Sequence, residues 1–493
     1  MGAQGASRAR QRPVRTALRG LITACALVVA PGAAAPGAIA DPPTQDPYCA
    51  APFAGAAART ADPANPLGLA SAPGDDPLRG ATFFVAGPKY GHAAAAIADL
   101  LAQHGLGRGS DSYDGSESWT DFKATLEDPT VASKISANPS LSRKIRLLEK
   151  IATEPETARF SVYSGGGGAG AVYRQVQLFL CRINKKLSSS GGSGSTRRSP
   201  RGSAPTGSPP TGADSGVAGQ VAVPMISTYF LVHESPCGSM YLSSRQVSTF
   251  KRQVSEFAHG LYGWSAVVLD EIDALDTAPC LSRRALAQRL ALLRWMIGEI
   301  HADAPHVVQF VEGGADDAEC AGFVINALNV ITGASSVVTK SCRVAPRHGR
   351  HQATATQALR GFFLGDTHFD WTLNEVSFGR KIARLTGLHF VVATQDNGHG
   401  PETPSVGKVQ GGNEVLCNPS NAGLGPRPTT ETGFAAQGVD AFVWSGVPGL
   451  SGGNHAGCNG VTTPPGLFDL GFALQLARNA SEQLGPRSPR RPY

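Results

Sequence analysis

The segment Ala266–Asp273, which reads Ala-Val-Val-Leu-Asp-Glu-Ile-Asp, most strongly constrains the fold of this chain. Its apolar run has the length of a buried strand, and the acids that follow cannot remain in a core unpaired. The same order, an apolar run that ends in polar residues, recurs at 306–312 and 389–396. In a barrel of alternating strands and helices, catalytic groups lie at the carboxyl ends of the strands. Any one of these acids has an alternative role as the N-cap of a following helix.

Strands and helices are predicted to alternate at a spacing of about forty residues, which is typical of a parallel α/β sheet. We expect the sheet to close as a distorted or incomplete, TIM-like α/β barrel, with an open doubly wound sheet as the alternative. The predicted strands are 76–85, 159–163, 221–232, 266–269, 306–311, a strand from 389 and 440–444. The predicted helices are 92–104, 140–153, 171–186, 245–261, 282–302, 373–386 and 467–480.

The domain organisation follows from changes in composition along the chain. Residues 1–40 have an Arg-rich head, an apolar middle and a small-residue cleavage site, the pattern of a secretory signal peptide. Residues 41–75 are predicted to be an irregular lead-in, and 76–480 a single domain. A Ser-, Gly- and Pro-rich stretch at 188–219 cannot bury a core, so we interpret it as a disordered insertion in a surface loop. Residues 481–493 are expected to form a disordered tail.

Charge and cysteine content exclude several classes of function. The first 40 residues hold five of the 44 basic side chains and none of the 38 acidic ones, which leaves 39 against 38. Nucleic-acid binding therefore has no electrostatic support, and no apolar segment after the signal is long enough to span a bilayer. Eight cysteines follow the signal, an even number that favours disulfides in an exported protein. No close cysteine pair indicates zinc, so we expect no metal and no cofactor.

Two weak motif matches indicate other functions, namely dinucleotide binding and serine hydrolysis. The glycine run Gly165–Gly170 fits a dinucleotide fingerprint in letters, but the acid that would bind the ribose is missing. The segment Gly449–Gly453 fits the Gly-x-Ser-x-Gly elbow of serine hydrolases, but it lies several residues past its strand, and no helix follows directly.

The order of several further motifs resembles glycoside hydrolase family 6, the cellobiohydrolases and endoglucanases that act on β-1,4-glucans. The resemblance runs from about Asp76 to Ala480. Glu271-Ile-Asp273 is similar to the family's Glu-Pro-Asp, and Glu312-Gly-Gly314 stands at its Asp-Ala-Gly. The carboxyl-terminal half is closer to the family pattern, at Thr394–Gly400, Cys417–Pro419, Gly423–Thr429, Asp440–Trp444 and Leu476–Ala480.

The resemblance assigns roles to residues of this chain. It implies that Asp273 is the proton donor of an inverting glycosidase and that Glu312 is a supporting carboxylate. The substrate-binding residues that it implies are Glu271, Asp396, Asn418 and Trp444. It also implies the disulfides Cys237–Cys280 and Cys417–Cys458, and we pair Cys320 with Cys342.

Several positions that the family uses are changed in this chain. Phe230 stands where the family has a tyrosine that contacts the distorted sugar, and Pro236 where it has an aspartate beside the donor. In the last loop, Gly446, Leu450 and Gly452 replace a lysine, a glutamate and the aspartate that is the candidate base. Glu234, Glu312 or Asp396 could substitute for the base.

Two hypotheses for function follow. The first is a secreted, monomeric β-1,4-glucan hydrolase with an inverting mechanism and several catalytic positions replaced. The second is an inactive relative that binds a glycan or a partner in the old cleft. Short segments after Asp273 and between Cys417 and Cys458 predict an open groove rather than a tunnel. In either case the partner is a β-glucan or another polysaccharide, with no nucleic acid and no membrane involved after signal cleavage.

Overall fold

The computed structural model describes residues 78, 81–83, 88–89, 91–113, 117, 119–155, 158–161, 170–190, 221–231, 241–345, 358–402, 417–454 and 458–485. All of them belong to the unit Pro42–Tyr493. The predicted signal peptide and nearly all of the lead-in and the insertion lie outside these residues and stay predictions. Among the described residues, no helix is both long enough and apolar enough to cross a membrane.

A sheet of seven parallel strands forms the centre of the domain, in the order β2-β4-β5-β6-β7-β8-β9. A separate pair is formed by β1 and β3. The strands are β1 (Ala81–Phe83), β2 (Ala158–Ser161), β3 (Val221–Val223), β4 (Met225–Tyr229), β5 (Ala266–Asp270), β6 (Val307–Glu312), β7 (Leu359–Leu364), β8 (His389–Ala393) and β9 (Val439–Val443).

The strand order in the large sheet follows the order of the chain without reversal. A doubly wound sheet reverses its order at a switch point, so that alternative is excluded. Among the described residues, no ladder joins the two edge strands β2 and β9. The fold is therefore an incomplete α/β barrel, as the sequence predicts, with all carboxyl strand ends at one rim.

Ten helices connect and cover the strands in the described part of the chain. They are α1 (His92–Gln103), α2 (Trp119–Glu127), α3 (Pro129–Ser136), α4 (Pro139–Ala152), α5 (Ala171–Ser190), α6 (Ser244–Gly260), α7 (Arg283–Asp303), α8 (Ala321–Ile331), α9 (Thr372–Thr386) and α10 (Leu470–Arg478). Local sequence sets several of their starts: Ser243 and Gln246 form a capping box at α6, and Asp469 caps α10.

The predicted strand 221–232 is two strands, because Pro224 separates β3 from β4. Proline has no N–H and cannot continue a ladder as donor, so the chain leaves one sheet there and enters the other. The predicted end of the domain at 480 is also too early. Ser481 donates its N–H to the carbonyl of Leu424 at 2.7 Å, and the Leu484 carbonyl accepts from Leu373 at 2.8 Å. Residues 481–485 therefore pack on the domain.

Each central strand divides its side chains between two cores. On β5, Ala266 and Val268 belong to the cluster beneath the helices, while Val267 and Leu269 face the inner side of the curved sheet. This alternation follows from the two-residue period of a strand. A third cluster joins α1, α4 and α10, and Trp444 lies in it. Because both faces are buried, polar side chains reach solvent chiefly at the strand ends.

A charged network locks the amino-terminal ends of three neighbouring strands. The guanidinium of Arg360 on β7 donates to both carboxylate oxygens of Asp440 on β9, at 2.7 and 3.0 Å. The ring Nδ1 of His389 on β8 lies 2.7 Å from the same carboxylate. Asp440 is only 2% exposed, so its charge is compensated almost entirely by these two partners. The network is at the rim opposite the acids, where we expect a role in stability.

We predict that Asp440→Asn lowers the free energy of unfolding by about 3 kcal/mol, because it leaves the Arg360 cation without its buried partner. The measurement is urea denaturation followed by circular dichroism. Glu127→Gln is the control, since it breaks the exposed Lys123–Glu127 pair on α2, and we expect a change of about 0.5 kcal/mol or less. Equal effects of the two substitutions would contradict the assigned role of Asp440.

Candidate active site

The turn after β5 presents Asp273 at the carboxyl rim. Glu271 and Asp273 both have left-handed backbone conformations, with φ of 56° and 62°. Such conformations are costly for residues other than glycine and persist where neighbouring structure imposes them, which is frequent at functional sites. The neighbouring strand imposes them here, because Thr228 Oγ1 accepts from the Glu271 N–H at 2.9 Å and the Thr228 carbonyl accepts from Ile272.

Glu271 was predicted to bind substrate, and the structure contradicts this. Its side chain is fully buried, and its oxygens accept hydrogen bonds from the backbone N–H groups of Phe230 and Leu231 at 2.8–3.1 Å. Burial raises the pKa of Glu271, and these backbone bonds oppose the rise. The carboxylate holds the end of β4 against the turn and thereby positions Asp273. Because it is fully buried, it cannot contact a ligand.

Asp273 itself is partly exposed and faces Tyr229. The Tyr229 hydroxyl donates to Asp273 Oδ2 at 3.4 Å. Phe230, which stands at the family's tyrosine position, lies in the core against Phe257. Successive residues of a strand point to opposite sides, so Tyr229 and not Phe230 supplies the aromatic ring at this rim.

Arg289 of α7 brings a buried positive charge beneath the turn. Its guanidinium donates to the Ala274 carbonyl at 3.1 Å and to Thr277 Oγ1 at 2.7 Å. Burial lowers the pKa of Arg289, and the nearby charges of Glu271, Asp273 and Glu312 oppose this change. Arg289 therefore holds the turn by direct bonds and offsets part of its negative charge.

Glu312, at the end of β6, supports the same turn. Its Oε2 accepts hydrogen bonds from the N–H groups of Leu275 at 2.5 Å and Asp276 at 3.0 Å, and its Oε1 accepts from Gly314. Because these bonds tie β6 to the segment after Asp273, the two acids lie on one rim, as predicted. Burial, together with the charge of Asp276, raises the pKa of Glu312 to about 8 against the opposing effect of the backbone bonds.

A cavity of about 160 Å³ opens at the ends of β7, β8 and β9. Asp366 and Asp396 line it together with the loop at 446–452 that contains the replaced family positions Gly446, Leu450 and Gly452. Asp396 is partly exposed to this cavity. No carboxylate comes from the 446–453 segment itself, so Asp366 and Asp396 supply the acidic groups among the cavity's described lining.

Asn418 was predicted to bind substrate, but its amide is occupied by the loop at 446–453. Its Nδ2 donates to the Gly453 carbonyl at 2.9 Å, and its Oδ1 accepts from the Gly452 N–H at 2.8 Å. The adjacent Cys417 forms a disulfide with Cys458, the pairing that the resemblance implies. Asn418 therefore shapes the cavity wall.

Trp444 was also predicted to bind substrate, and it too is contradicted. It is 1% exposed and lies in the core cluster between α1, α4 and α10, where it cannot stack on a sugar. The apolar surroundings of the indole explain its position at the end of β9. Trp444 is therefore a residue of the hydrophobic core.

Of the two weak motif matches, Gly449–Gly453 is described in full, whereas the glycine run lies outside the described residues except for Gly170. Ser451 is buried, and its hydroxyl lies 2.9 Å from the Gly453 carbonyl and 2.8 Å from the Thr463 carbonyl, which it can donate to. It is not placed as a nucleophile. At the start of α5, the N–H groups of Gly170 and Val172 donate to the buried carboxylate of Glu256. That helix end already has an anion and leaves no place for a phosphate.

Cys320 and Cys342 form a disulfide, as we paired them, and Cys181 is also disulfide-bonded. Pro236, Glu234 and Cys237 lie outside the described residues. The expected Cys237–Cys280 bond therefore stays a prediction, and so does the suggestion that Glu234 substitutes for the base.

Sequence reasoning missed His368, which connects the two parts of the rim. Its Nε2 lies 3.2 Å from Asp276 Oδ1, and its Nδ1 lies 3.2 Å from Asp317 Oδ1. Both ring nitrogens can donate to carboxylates only in the imidazolium form. Asp276 follows the Asp273 turn, while His368 follows β7 close to the cavity residue Asp366. The strand that precedes His368, β7, was not predicted, so no signal indicated the neighbours of this residue.

Comparisons with known proteins agree with this architecture. The sequence model of glycosyl hydrolases family 6 matches residues 301–479, which carry β6 to α10. The chain is 28% identical over 223 residues to endoglucanase 1 of Streptomyces sp. (strain KSM-9), covering 45% of this chain and 51% of the relative. Over residues 301–479 the chain is therefore similar to glycoside hydrolase family 6. It spans about half the length of the curated relative that it matches.

Solved structures of family 6 enzymes share the fold. Endoglucanase CEL6B from Humicola insolens is 14% identical, with a TM-score of 0.50, over 83% of this chain and 100% of that one. Endoglucanase Cel6 from Mycobacterium tuberculosis is 23% identical, with a TM-score of 0.48, over 72% of this chain and 95% of that one. At 14% identity, the likeness to CEL6B supports the fold and says nothing about function.

The raised pKa of Glu312 predicts a dependence of stability on pH. Between its ordinary value of 4.5 and about 8, the folded protein holds a proton at Glu312 that the unfolded chain has lost. The stabilisation is complete below the lower value and is lost as the pH rises to the upper one. We expect wild type to lose stability relative to Glu312→Gln over this range, by at most about 1.4 kcal/mol per pH unit.

Urea denaturation of both proteins between about pH 5 and about pH 8 measures this difference. Glu299→Gln is the control, because that carboxylate, bonded to Ser255 between α6 and α7, lies away from the rim. A stability difference between wild type and Glu312→Gln that stays constant with pH would show that Glu312 is ionised throughout.

Proposed function

We propose that this chain is a secreted glycoside hydrolase that acts on β-1,4-glucan by inversion, with Asp273 as the general acid. The family relationship and the endoglucanase named among its relatives support the substrate class. Inversion requires one carboxylic acid that protonates the leaving oxygen and a second carboxylate that activates water across the sugar ring. No cofactor takes part in this mechanism.

The observation that carries the proposal is the construction of the turn at Asp273. A buried carboxylate, Glu271, and a buried cation, Arg289, fix a backbone conformation that is costly for an aspartate. The result is one partly exposed carboxyl group beside a tyrosine hydroxyl, at the carboxyl end of a central strand. Positioning a reacting group in this way is a large part of catalysis, because the geometry is established before substrate binds.

We propose Asp396 as the carboxylate that activates water. Glu312 is a poor candidate, because backbone N–H groups occupy both of its oxygens. Asp396 is partly exposed and lines the cavity against Gly452, the position of the family's candidate base. An inverting pair needs room for a water between the carboxyl groups, about 6.5–9.5 Å. Four of the eight residues of the Gly446–Gly453 loop are glycines, which keeps the wall of the cavity opposite Asp396 low.

We predict that Asp273→Asn reduces hydrolysis of carboxymethylcellulose by about 10²- to 10⁴-fold, the usual contribution of a general acid. Asparagine has the shape of aspartate but cannot donate the proton. The assay is release of reducing ends, with circular dichroism to confirm folding. Asp128→Asn is the control, because Asp128 caps α3 and asparagine caps helices equally well. Activity of Asp273→Asn equal to that of the control would remove Asp273 from the mechanism.

A second candidate function is glycan binding without turnover. The specific observation in its favour is the loop at 446–453, where the Gly452 N–H is bound to Asn418 and no residue of the loop carries an acid. Loss of a base by itself leaves the groove able to hold a sugar chain. In this case wild type binds cello-oligosaccharides and does not cleave them.

Asp396→Asn separates the two functions. For an active enzyme we predict a loss of turnover of about 10²- to 10⁴-fold with the affinity for a cello-oligosaccharide changed far less, because the base acts on water. Reducing-end release and isothermal titration calorimetry measure the two quantities on the same preparation. Binding by a wild type that shows no turnover would favour the second function, and an Asp396→Asn enzyme of full activity would assign the base elsewhere.

A further inference from the structure

Three carboxylates from different segments of the chain meet beside the proposed active site. Asp317 lies in the loop after β6, Asp370 in the loop after β7, and Glu375 in the first turn of α9. One oxygen from each lies within 4.8 Å of the oxygens of the other two. None of these three residues takes part in the mechanism proposed above, and the sequence analysis predicted no metal site.

Glu375 is the member that needs a further partner. Its side chain is 0% exposed, and its Oε1 accepts the N–H of Asp316 at 3.1 Å. Its Oε2 is buried and has no hydrogen-bond partner among the residues that the structure describes. A buried carboxylate oxygen without a partner is strongly unfavourable, and natural structures compensate such groups with protons, cations or metal ions.

The other members are held in place by their neighbours, as metal ligands usually are. Asp370 Oδ1 accepts from the Trp371 N–H at 2.7 Å and from Asn374 Nδ2 at 2.9 Å. Asp317 Oδ1 lies 3.2 Å from His368 Nδ1. These contacts fix the two carboxylates so that one oxygen of each lies within 4.8 Å of an oxygen of Glu375.

We propose that Asp317, Asp370 and Glu375 bind a calcium ion. Carboxylate oxygens are the ligands of hard divalent cations. Calcium binds oxygen at 2.3–2.6 Å, so one ion can contact three oxygens that lie within 4.8 Å of one another. Calcium also accepts irregular geometry and takes waters to complete its coordination, whereas magnesium demands a near-ideal octahedron.

Charge balance agrees with a dication at this position. Three carboxylates and Ca²⁺ sum to only one negative charge, whereas three carboxylates without an ion carry three. The ion joins the loops after β6 and β7 to α9, and these loops flank the proposed cleft. Its role is therefore to fix the rim, and it does not enter the hydrolysis reaction.

Terbium luminescence tests the site directly, because Tb³⁺ replaces calcium and is excited by energy transfer from a nearby indole. Trp371 adjoins Asp370 in the chain and can supply that energy. We expect wild type, freed of metal with chelator, to give terbium emission that calcium displaces and magnesium displaces less well. Calcium should also raise the thermal midpoint of the same protein by several degrees.

Glu375→Gln and Asp370→Asn each remove one ligand and should weaken calcium binding at least tenfold. Glu319→Gln is the matched control, because Glu319 is a buried acid of the same loop whose Oε2 accepts from the Ala315 N–H at 2.9 Å, and it is not one of the three. Its calcium response should equal that of wild type. Two variants are used so that one misfolded protein does not decide the result.

The proposal is overturned if calcium changes neither the emission nor the melting of wild type. It is also overturned if both variants bind calcium as wild type does. A third contrary result is Glu375→Gln that melts above wild type in chelator while wild type ignores calcium. That result would mean that protons alone compensate the buried acids. Hydrolysis is not read in any of these measurements, so an inactive enzyme leaves the test intact.

Discussion

The buried carboxylate of Glu271 is the interaction on which the rim depends. Its oxygens bind the backbone at the end of β4, and its own backbone is held in a left-handed conformation by Thr228. A charged or neutral carboxyl group in a dry environment needs such bonds, because burial without them costs several kcal/mol. The bonds also decide which acid of the turn remains accessible. Glu271 is bound to the backbone at the end of β4, whereas Asp273 remains at the carboxyl rim beside Tyr229.

The two ends of the barrel differ in how their acidic residues are paired with cations. At the amino-terminal rim, Asp440 is matched by Arg360 and His389, and the result is a compact charge network across three strands. At the carboxyl rim, acids outnumber their cationic partners, and burial raises the pKa of Asp270, Glu312 and Glu319. The first arrangement favours stability. The second costs stability, because carboxyl groups are held in a dry environment with few cationic partners.

Sequence predicted the elements whose pattern has a single interpretation. β5 and β6 were found because a short apolar run followed by acids fits a buried strand end, and the amphipathic stripe of α4 identified that helix. α8 was missed because it is buried on all sides and shows no stripe. β7 was missed because Arg360 and Gly361 interrupt its apolar residues, and without it the neighbours of His368 could not be placed.

The site was harder to predict than the fold, for a reason visible in the turn itself. In a strand, alternation tells which side chains share a face, but the left-handed residues after β5 break that alternation. Sequence could place Glu271 and Asp273 at the rim and could not tell that only one faces the cleft. Trp444 and Asn418 failed in the same way, because each sits at the correct strand end with its side chain turned into protein. Motif order therefore locates the carboxyl rim of the barrel, and the backbone conformation at each strand end decides which of its polar residues are exposed there.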